Sequence, residues 1–189
     1  ALEVYTREAY PEGWAQTQNN LAAAYSDRIR GEKAANVETA IGHYEAALEV
    51  RTRAAYPEGW ATTQNNLAAA YSDRIRGEKA ANVETAIGHY EAALEVRTRE
   101  AYPEKWAMTQ NNLGEAYRNR IRGEKAANVE TAIERYEAAL EVYTREAFPE
   151  DWARTQNNLA TAYYDRIRGE KAANLEAAIE RYEAALEVY

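Results

Sequence analysis

PEGWAQTQNNLAAAYSDRIRGEKAANVETAIGHYEAALEVRTRAAY (Pro11–Tyr56) is the first of four copies of one sequence unit that fill almost all of this 189-residue chain. The tryptophan of each copy lies 46 residues after the preceding one, without insertion or deletion. A fixed period of roughly 20–50 residues is the signature of a repeat architecture. The repeats are 11–56, 57–102, 103–148 and a truncated 149–189, preceded by residues 1–10, which are predicted to end a second helix.

Each repeat contains the signals of two helices joined by a short connection. Pro11 and Glu12 suit the first turn of a helix, and arginines followed by Gly31 are typical of a helix end. Asn36 is predicted to cap the second helix, which must end before Tyr56 because the residue preceding a proline disfavours the helical region. No strand pattern occurs, so the sequence predicts an all-α fold.

Each helix also has one apolar face when its residues are projected at about 100° per residue. The predicted buried residues of the first repeat are Trp14, Thr17, Leu21, Ala24, Tyr25 and, at the edge, Ile29 in the first helix, and Val37, Ala40, Ile41, Tyr44, Ala47, Leu48 and Ala55 in the second. One helix pair cannot bury both faces by itself, so neighbouring pairs must stack on it. The predicted architecture is a solenoid of antiparallel helix pairs.

A recurring order of small and aromatic residues resembles the tetratricopeptide repeat. In the third repeat the residues that carry this resemblance are Leu113, Gly114, Tyr117, Ala132, Tyr136, Ala139, Leu140 and Pro149. The period is 46 residues rather than the family's usual length of about 34, and Gln18 stands at the family's tryptophan position. The sequence of the repeat is similar to the long repeats in kinesin-light-chain-like proteins and in bacterial arrays attached to CHAT-type peptidase domains.

The resemblance covers essentially the whole chain, and it implies a single right-handed superhelical solenoid over residues 1–189. The first helices would then line its concave surface. It also implies that the asparagine before each signature leucine hydrogen-bonds the backbone of an extended peptide. These asparagines are Asn20, Asn66, Asn112 and Asn158. An asparagine amide suits this role because it offers both a donor and an acceptor.

The helical projection indicates the same face from the residues alone. The stripe opposite the buried one contains Asn20 in every repeat, while its other positions differ between repeats. A fixed backbone contact with variable neighbours is what a selective peptide groove needs. Besides the four asparagines, the predicted peptide-binding residues are Gln16, Thr62, Met108, Arg154, Asp27, Asp73, Glu115, Asn119 and Asp165.

The asparagine pair also has a structural interpretation. Asn19 and Asn20 would hold adjacent helices in register through side-chain hydrogen bonds, and Asn19, nearer the flank, suits this role better. Variation by itself does not identify a groove, because exposed faces vary when nothing packs against them. The second helices vary at Thr39, Gly42, His43 and Ala54, which are predicted to lie on the convex side.

Composition excludes several classes of site. The chain has no cysteine, which excludes disulfides and thiol chemistry. His43 and His89 are its only histidines and are predicted to point outward, so no metal, cofactor or catalytic set is expected. The net charge of −8 argues against nucleic-acid binding. No run reaches the roughly 18 apolar residues of a membrane span, and we expect a cytoplasmic protein.

These observations favour a protein–protein interaction scaffold that is not an enzyme. The alternative is a structural spacer or self-stacking rod without specific ligand recognition. Ala1–Tyr10 and Asn174–Tyr189 would present open stacking surfaces, so head-to-tail self-association is also expected. Large buried side chains should hold the repeats together, namely Trp14, Trp60, Trp106 and Trp152.

Overall fold

The computed structural model describes residues 6–188, and this part of the chain contains helices and turns but no strand. Eight helices of 16 or 17 residues form four pairs within it. They are α1 (Pro11–Ser26), α2 (Lys33–Leu48), α3 (Pro57–Ser72), α4 (Lys79–Leu94), α5 (Pro103–Arg118), α6 (Lys125–Leu140), α7 (Pro149–Asp165) and α8 (Lys171–Leu186). The predicted all-α array of helix pairs is confirmed.

The chain forms two compact units, of which one ends at Arg97 and the other begins at Thr98. The N-terminal unit contains α1–α4 and the C-terminal unit contains α5–α8. In both units a second helix packs against the first helix of the following repeat. Stacking therefore buries the apolar faces that a single helix pair leaves open.

The buried clusters of the two units have closely matching members. In the N-terminal unit the cluster consists of Ala22, Val37, Ala40, Ile41, Tyr44, Leu67 and Ala70. In the C-terminal unit it consists of Val129, Ala132, Ile133, Tyr136, Leu159 and Ala162. Most of these positions carry the apolar residues predicted from helical periodicity. None of the described helices has the length and apolar character needed to cross a membrane.

The first helices begin where the sequence predicts but end earlier. Pro11 occupies the first turn of α1 and Glu12 follows it, as expected. The helix ends at Ser26, so Ile29 lies in the connection and is 97% exposed. Placing Ile29 at the edge of the buried face was wrong, because the chain leaves the helix one turn before it.

Asn36 does not cap the second helix, contrary to the sequence prediction. The helix starts at Lys33, and the Asn36 side chain is buried inside its first turns. Its Nδ2 donates hydrogen bonds to the backbone oxygens of Arg28 and Arg30, at 3.3 and 3.0 Å. Gly31, directly after Arg30, has φ +88°, a conformation that glycine adopts readily. Asn36 therefore fastens the connection to the helix, and its counterpart does so in every repeat.

The second helices are also shorter than the sequence suggests. We expected the first of them to continue to Ala55, but α2 ends at Leu48, and Ala55 is exposed in a turn. Thr52 organises this turn by accepting hydrogen bonds from the backbone N–H groups of Ala55 and Tyr56, at 3.2 and 2.9 Å. Residues 6–10 form the same kind of turn rather than a helix end, while residues 1–5 and 189 lie outside the described residues.

The four tryptophans are half-buried rather than largely buried. Trp106 packs against a cluster formed by Ala107, Ala139 and Tyr143. The Arg99 guanidinium lies over its ring, 5.9 Å from the centroid. Arg99 also pairs with Glu141 of the same unit. Trp106 therefore lies at the edge of the core, and arginines lie over the rings of Trp14 and Trp152 in the same way.

Candidate functional site

The first helices of adjacent repeats border a cleft in the N-terminal unit. This acidic cleft between α1 and α3 has a volume of about 230 Å³. It is lined by Ala23, Ser26, Asp27, Tyr44, Asn66, Ala69, Ala70 and Asp73. Three of the predicted peptide-binding residues, Asn66, Asp27 and Asp73, thus meet at one place on the first-helix surface.

The predicted asparagine ladder takes part in contacts between repeats. Asn66 donates from Nδ2 to Oδ1 of Asn19 at 3.5 Å, and Asn158 donates to Asn111 at 3.2 Å. The acceptors Asn19 and Asn111 are buried. The structural interpretation of the pair therefore holds for its first member, which helps to keep adjacent first helices in register.

The second asparagine of each pair lies nearer to solvent. Asn20 is exposed, and its Oδ1 accepts a hydrogen bond from Gln16 Nε2 at 2.8 Å. Asn66, Asn112 and Asn158 are half-buried. Their side chains are accessible in part, so a role in ligand binding stays a prediction.

Gln16 also belongs to a buried polar network that the sequence did not reveal. Arg51 follows the end of α2 and is only 2% exposed. Its guanidinium donates to Glu12 at 2.7 Å, to the Gln16 side-chain oxygen, and to Thr63 of the next repeat at 3.2 Å. Since a buried charge needs paired and hydrogen-bonded neighbours, Gln16 is partly a structural residue.

The equivalent positions in later repeats follow the same rule. Thr62 accepts a hydrogen bond from Arg97 at 3.1 Å. In the third repeat, Tyr143 replaces this arginine, and the facing position is the apolar Met108, which packs against the Tyr143 cluster. Variation at this position therefore matches a buried partner 35 residues later in the chain. The sequence contains a signal of this pairing, because the change from Arg97 to Tyr143 accompanies the change from Thr62 to Met108.

The remaining predicted residues lie nearer the surface. Arg154 is exposed and pairs with Asp151 of its own helix at 2.5 Å. Glu115 and Asn119 are exposed as well. Asp165 is half-buried and lies 3.4 Å from the Arg118 guanidinium.

The C-terminal unit fills the place that corresponds to the acidic cleft. Arg118 stands where the first repeat has Ser26, and Asp165 stands where the second repeat has Asp73. Their ion pair connects the end of α5 to the end of α7. Tyr136 lies beneath them, and burial raises the pKa of its phenol, an effect that the charge of Arg118 opposes. Burial likewise raises the pKa of Tyr44, the equivalent residue of the acidic cleft, to about 12.

The two histidines do not point outward as predicted. His43 Nδ1 lies 2.6 Å from the Gln18 side-chain oxygen, and the ring stacks on Tyr25 with centroids 5.6 Å apart. His89 makes the same contacts with Gln64 and Tyr71. In the C-terminal unit Arg135 and Arg181 replace the histidines and donate to the equivalent glutamines. This position therefore faces the first helix of its own repeat.

The stability of the chain should fall on mild acidification because of His89. Burial lowers the pKa of His89 below its usual 6.5, although the charge of Glu45 opposes this shift. The unfolded chain then binds the proton more readily, so the stabilisation present above pH 6.5 is lost as the pH falls through the lower pKa of the folded state.

Thermal unfolding between pH 7.5 and 5.5 tests this expectation. His89→Arg, which copies Arg135, should show a smaller loss of stability over that range than the parent chain. Equal losses in both proteins would contradict the prediction.

A second set of contacts between repeats is ionic. Arg74, after α3, forms two hydrogen bonds of 2.8 Å with the Glu38 carboxylate in α2. Arg166 binds Glu130 in the same way at 2.9 and 2.7 Å. These guanidinium groups hold the pKa of both glutamates below its usual range. The sequence indicates only that these arginines follow a helix end, and the structure identifies their carboxylate partners.

The residues described here contain no group of three His, Asp or Glu side chains that could hold a metal ion. Within each unit, the two first helices instead present amides, carboxylates and aromatic rings at the spacing of one repeat. Such a surface can donate and accept hydrogen bonds along an extended chain.

Comparison with known proteins agrees with this architecture. The profile of the tetratricopeptide repeat matches residues 106–148 and 152–188. The structure is similar to BtubC (BKLC) from P. vanneervenii, with a TM-score of 0.69 and 23% sequence identity. That similarity covers 94% of this chain and 64% of BtubC, so the chain spans less than two thirds of its neighbour. The search of curated proteins found no match.

Proposed function

Because this chain belongs to the tetratricopeptide repeat family, whose repeats generally mediate protein–protein interactions, we propose that it binds an extended segment of a partner protein. The segment lies along the surface formed by the first helices. The chain acts as a scaffold in the cytoplasm and contributes binding rather than catalysis. No cofactor is needed for this function.

The observation that carries the proposal is the position of Asn66 in the lining of the acidic cleft. Its amide lies beside Asp27 and Asp73, and these are different kinds of polar group on one accessible surface. An amide can accept from and donate to a peptide backbone, while neighbouring side chains select the sequence. The exposed Asn20 extends the same surface by one repeat.

Selection from an unbiased library of random peptides displayed on phage tests whether the surface binds extended chains. The selected peptides should bind the parent chain and lose at least about tenfold in affinity when all four predicted asparagines are replaced by alanine, because several hydrogen bonds disappear together. The changed residues are Asn20, Asn66, Asn112 and Asn158. Binding is measured by fluorescence anisotropy with labelled peptides.

The structure adds a control to this experiment. Asn66 and Asn158 also bond to neighbouring repeats, so the quadruple variant should unfold at a slightly lower temperature. Asn20→Ala alone removes an exposed amide and should leave the thermal midpoint unchanged within error. Selected peptides that bind the quadruple variant as well as the parent chain would refute the proposed role of the asparagines. A library that gives no binder would refute peptide binding itself.

Self-stacking is the second candidate function, and the apolar face of α8 favours it. Ile179 is 47% exposed, whereas its counterpart Ile133 is 5% exposed beneath the following repeat. Leu186 is 71% exposed. On α1, Leu21 and Ala24 form an apolar surface that equivalent residues of later repeats pack against a second helix. The α1 helix of a second copy can therefore pack against α8 of the first copy, as a first helix packs against the preceding second helix within the chain.

Sedimentation velocity over a range of protein concentrations tests this stacking. The parent chain should form larger species as its concentration rises. Ile179→Lys places a charge in an apolar contact, so the same degree of association should need at least about tenfold more protein. Ile121→Lys, on a side chain that is 60% exposed in a connection, provides the control. A monomer at every concentration would contradict self-stacking and leave peptide binding as the function.

A further inference from the structure

Two places with the same position in their respective units differ in how the end of the first helix is occupied. In the N-terminal unit the ends of α1 and α3 border an open cleft of about 230 Å³. In the C-terminal unit the corresponding residues at the ends of α5 and α7 are joined by the Arg118–Asp165 ion pair. We propose that the acidic cleft binds the guanidinium group of an arginine side chain of the partner, in the manner in which the chain's own Arg118 meets Asp165. This inference rests on the proposed function and specifies its ligand.

The residues around the two places correspond closely. Tyr44 and Tyr136 occupy equivalent positions in the second helices, and both are buried. Asn66 and Asp73 of the cleft have Asn158 and Asp165 as their counterparts. The lining differs at the end of the first helix, where an arginine replaces Ser26, Glu115 replaces Ala23 and Asn119 replaces Asp27. The short Ser26 leaves open the space that the arginine side chain occupies in the third repeat. A surface that accommodates an internal guanidinium in one unit is left unfilled in the other.

The two carboxylates of the cleft, both on exposed residues, favour a cationic ligand. Neither Asp27 nor Asp73 forms an ion pair with any residue between 6 and 188. Arg74 binds Glu38 at 2.8 Å, and Lys33 donates to the backbone oxygen of Ser26 at 2.6 Å. Arg28 lies over the Tyr25 ring, 5.6 Å from its centroid. The two carboxylates therefore remain available to a ligand.

The size and donor geometry of a guanidinium match this place. A volume of about 230 Å³ is below the roughly 300–1,000 Å³ of typical small-molecule sites, so it suits one side chain rather than a cofactor. A planar guanidinium has five N–H donors and binds carboxylates through paired hydrogen bonds. The lining of the cleft includes the carboxylates of Asp27 and Asp73 and the amide of Asn66.

The whole chain can be titrated with N-acetyl-arginine amide and monitored by two-dimensional NMR of its backbone amides. N-acetyl-citrulline amide, which has nearly the same shape but no charge, provides the matched ligand. We expect saturable shifts with the arginine compound and at least about tenfold weaker binding of the citrulline compound, because hydrogen bonds between charged groups are lost. Asp73→Asn should weaken binding of the arginine compound at least about fivefold.

Ser26→Arg supplies the decisive variant, because it gives the cleft the arginine that the third repeat already has. It should abolish the saturable shifts, and Ala22→Gly in the same chain, which copies Gly114, should keep the thermal midpoint near that of the parent chain. Ile29→Arg adds the same charge at an exposed position nearby and should leave binding unchanged. Equal binding of citrulline, or full binding by Ser26→Arg, would overturn the inference.

The library selection separates this inference from the proposed function. If the selected peptides contain arginine and lose binding to Ser26→Arg, both stand. If peptides without arginine bind, and Ser26→Arg binds them equally, the first-helix surface still binds peptides but the arginine site is refuted. If no peptide binds while N-acetyl-arginine amide still saturates the cleft, the proposed function is refuted. The inference that the cleft binds a guanidinium group then stands by itself.

Discussion

Trp106→Ala should reduce the free energy of unfolding by about 2–4 kcal/mol, somewhat less than truncation of a fully buried tryptophan. The indole packs against Ala107, Ala139 and Tyr143, so its removal leaves a space between α5 and the end of α6. It also removes the surface over which the Arg99 guanidinium lies. Half-burial limits the loss because one face of the ring already meets solvent or charged groups.

Chemical denaturation with urea measures this loss. Ile121→Ala provides the control, since the isoleucine is 60% exposed and its truncation should change stability by no more than about 0.5 kcal/mol. A loss below about 1 kcal/mol for Trp106→Ala would show that the indole contributes little to packing. It would then be a surface residue in energetic terms.

Gly114→Ala should destabilise the chain by about 1–3 kcal/mol, although alanine usually favours a helix. A Cβ atom at this position would lie 2.8 Å from Cε1 of the buried Tyr136 ring. Gly42→Ala provides the opposite case, because nothing lies within 4 Å of a Cβ atom there. That substitution should stabilise the protein by about 0.5–1 kcal/mol through helix propensity alone. Urea denaturation of both variants measures whether each substitution lowers or raises the free energy of unfolding.

A double variant identifies the cause of the expected loss. The first repeat carries Ala22 and Ser26 around Tyr44, where the third repeat carries Gly114 and Arg118 around its tyrosine. Gly114→Ala combined with Arg118→Ser recreates the first arrangement and should recover part of the stability. Strict additivity of the two changes would show that the tyrosine does not depend on its neighbours in this way.

Local sequence chemistry was sufficient for the helix pairs. Proline at the first helical turn, glycine in the connection and proline at the start of the next repeat each act on the backbone of adjacent residues. The period of 46 then implied that the same pair occurs again, and apolar residues such as Val37 and Leu67 were predicted in the core from helical spacing. Such signals depend on neighbours within a few residues, so one sequence contains them in full.

Helix ends were predicted less well, because they depend on contacts between helices. Asn36 has the chemistry of an N-cap, yet it lies inside the helix and binds the oxygens of Arg28 and Arg30. The preference of asparagine for caps is a local tendency, whereas the buried hydrogen bonds to the connection satisfy two backbone oxygens at once.

The functional reading of individual side chains depended on tertiary structure. The sequence placed Asn19 and Asn20 side by side, but only stacking made one of them a buried contact between repeats and left the other exposed. Gln16 is exposed on the first-helix stripe, and it also accepts a hydrogen bond from the buried Arg51, 35 positions along the chain. Helical periodicity gives the direction in which a side chain leaves its helix. The residue that it meets in that direction belongs to another helix, so periodicity does not identify it. Local sequence therefore determined the repeated helices, and packing between repeats decided which polar residues hold them together and which remain available to a ligand.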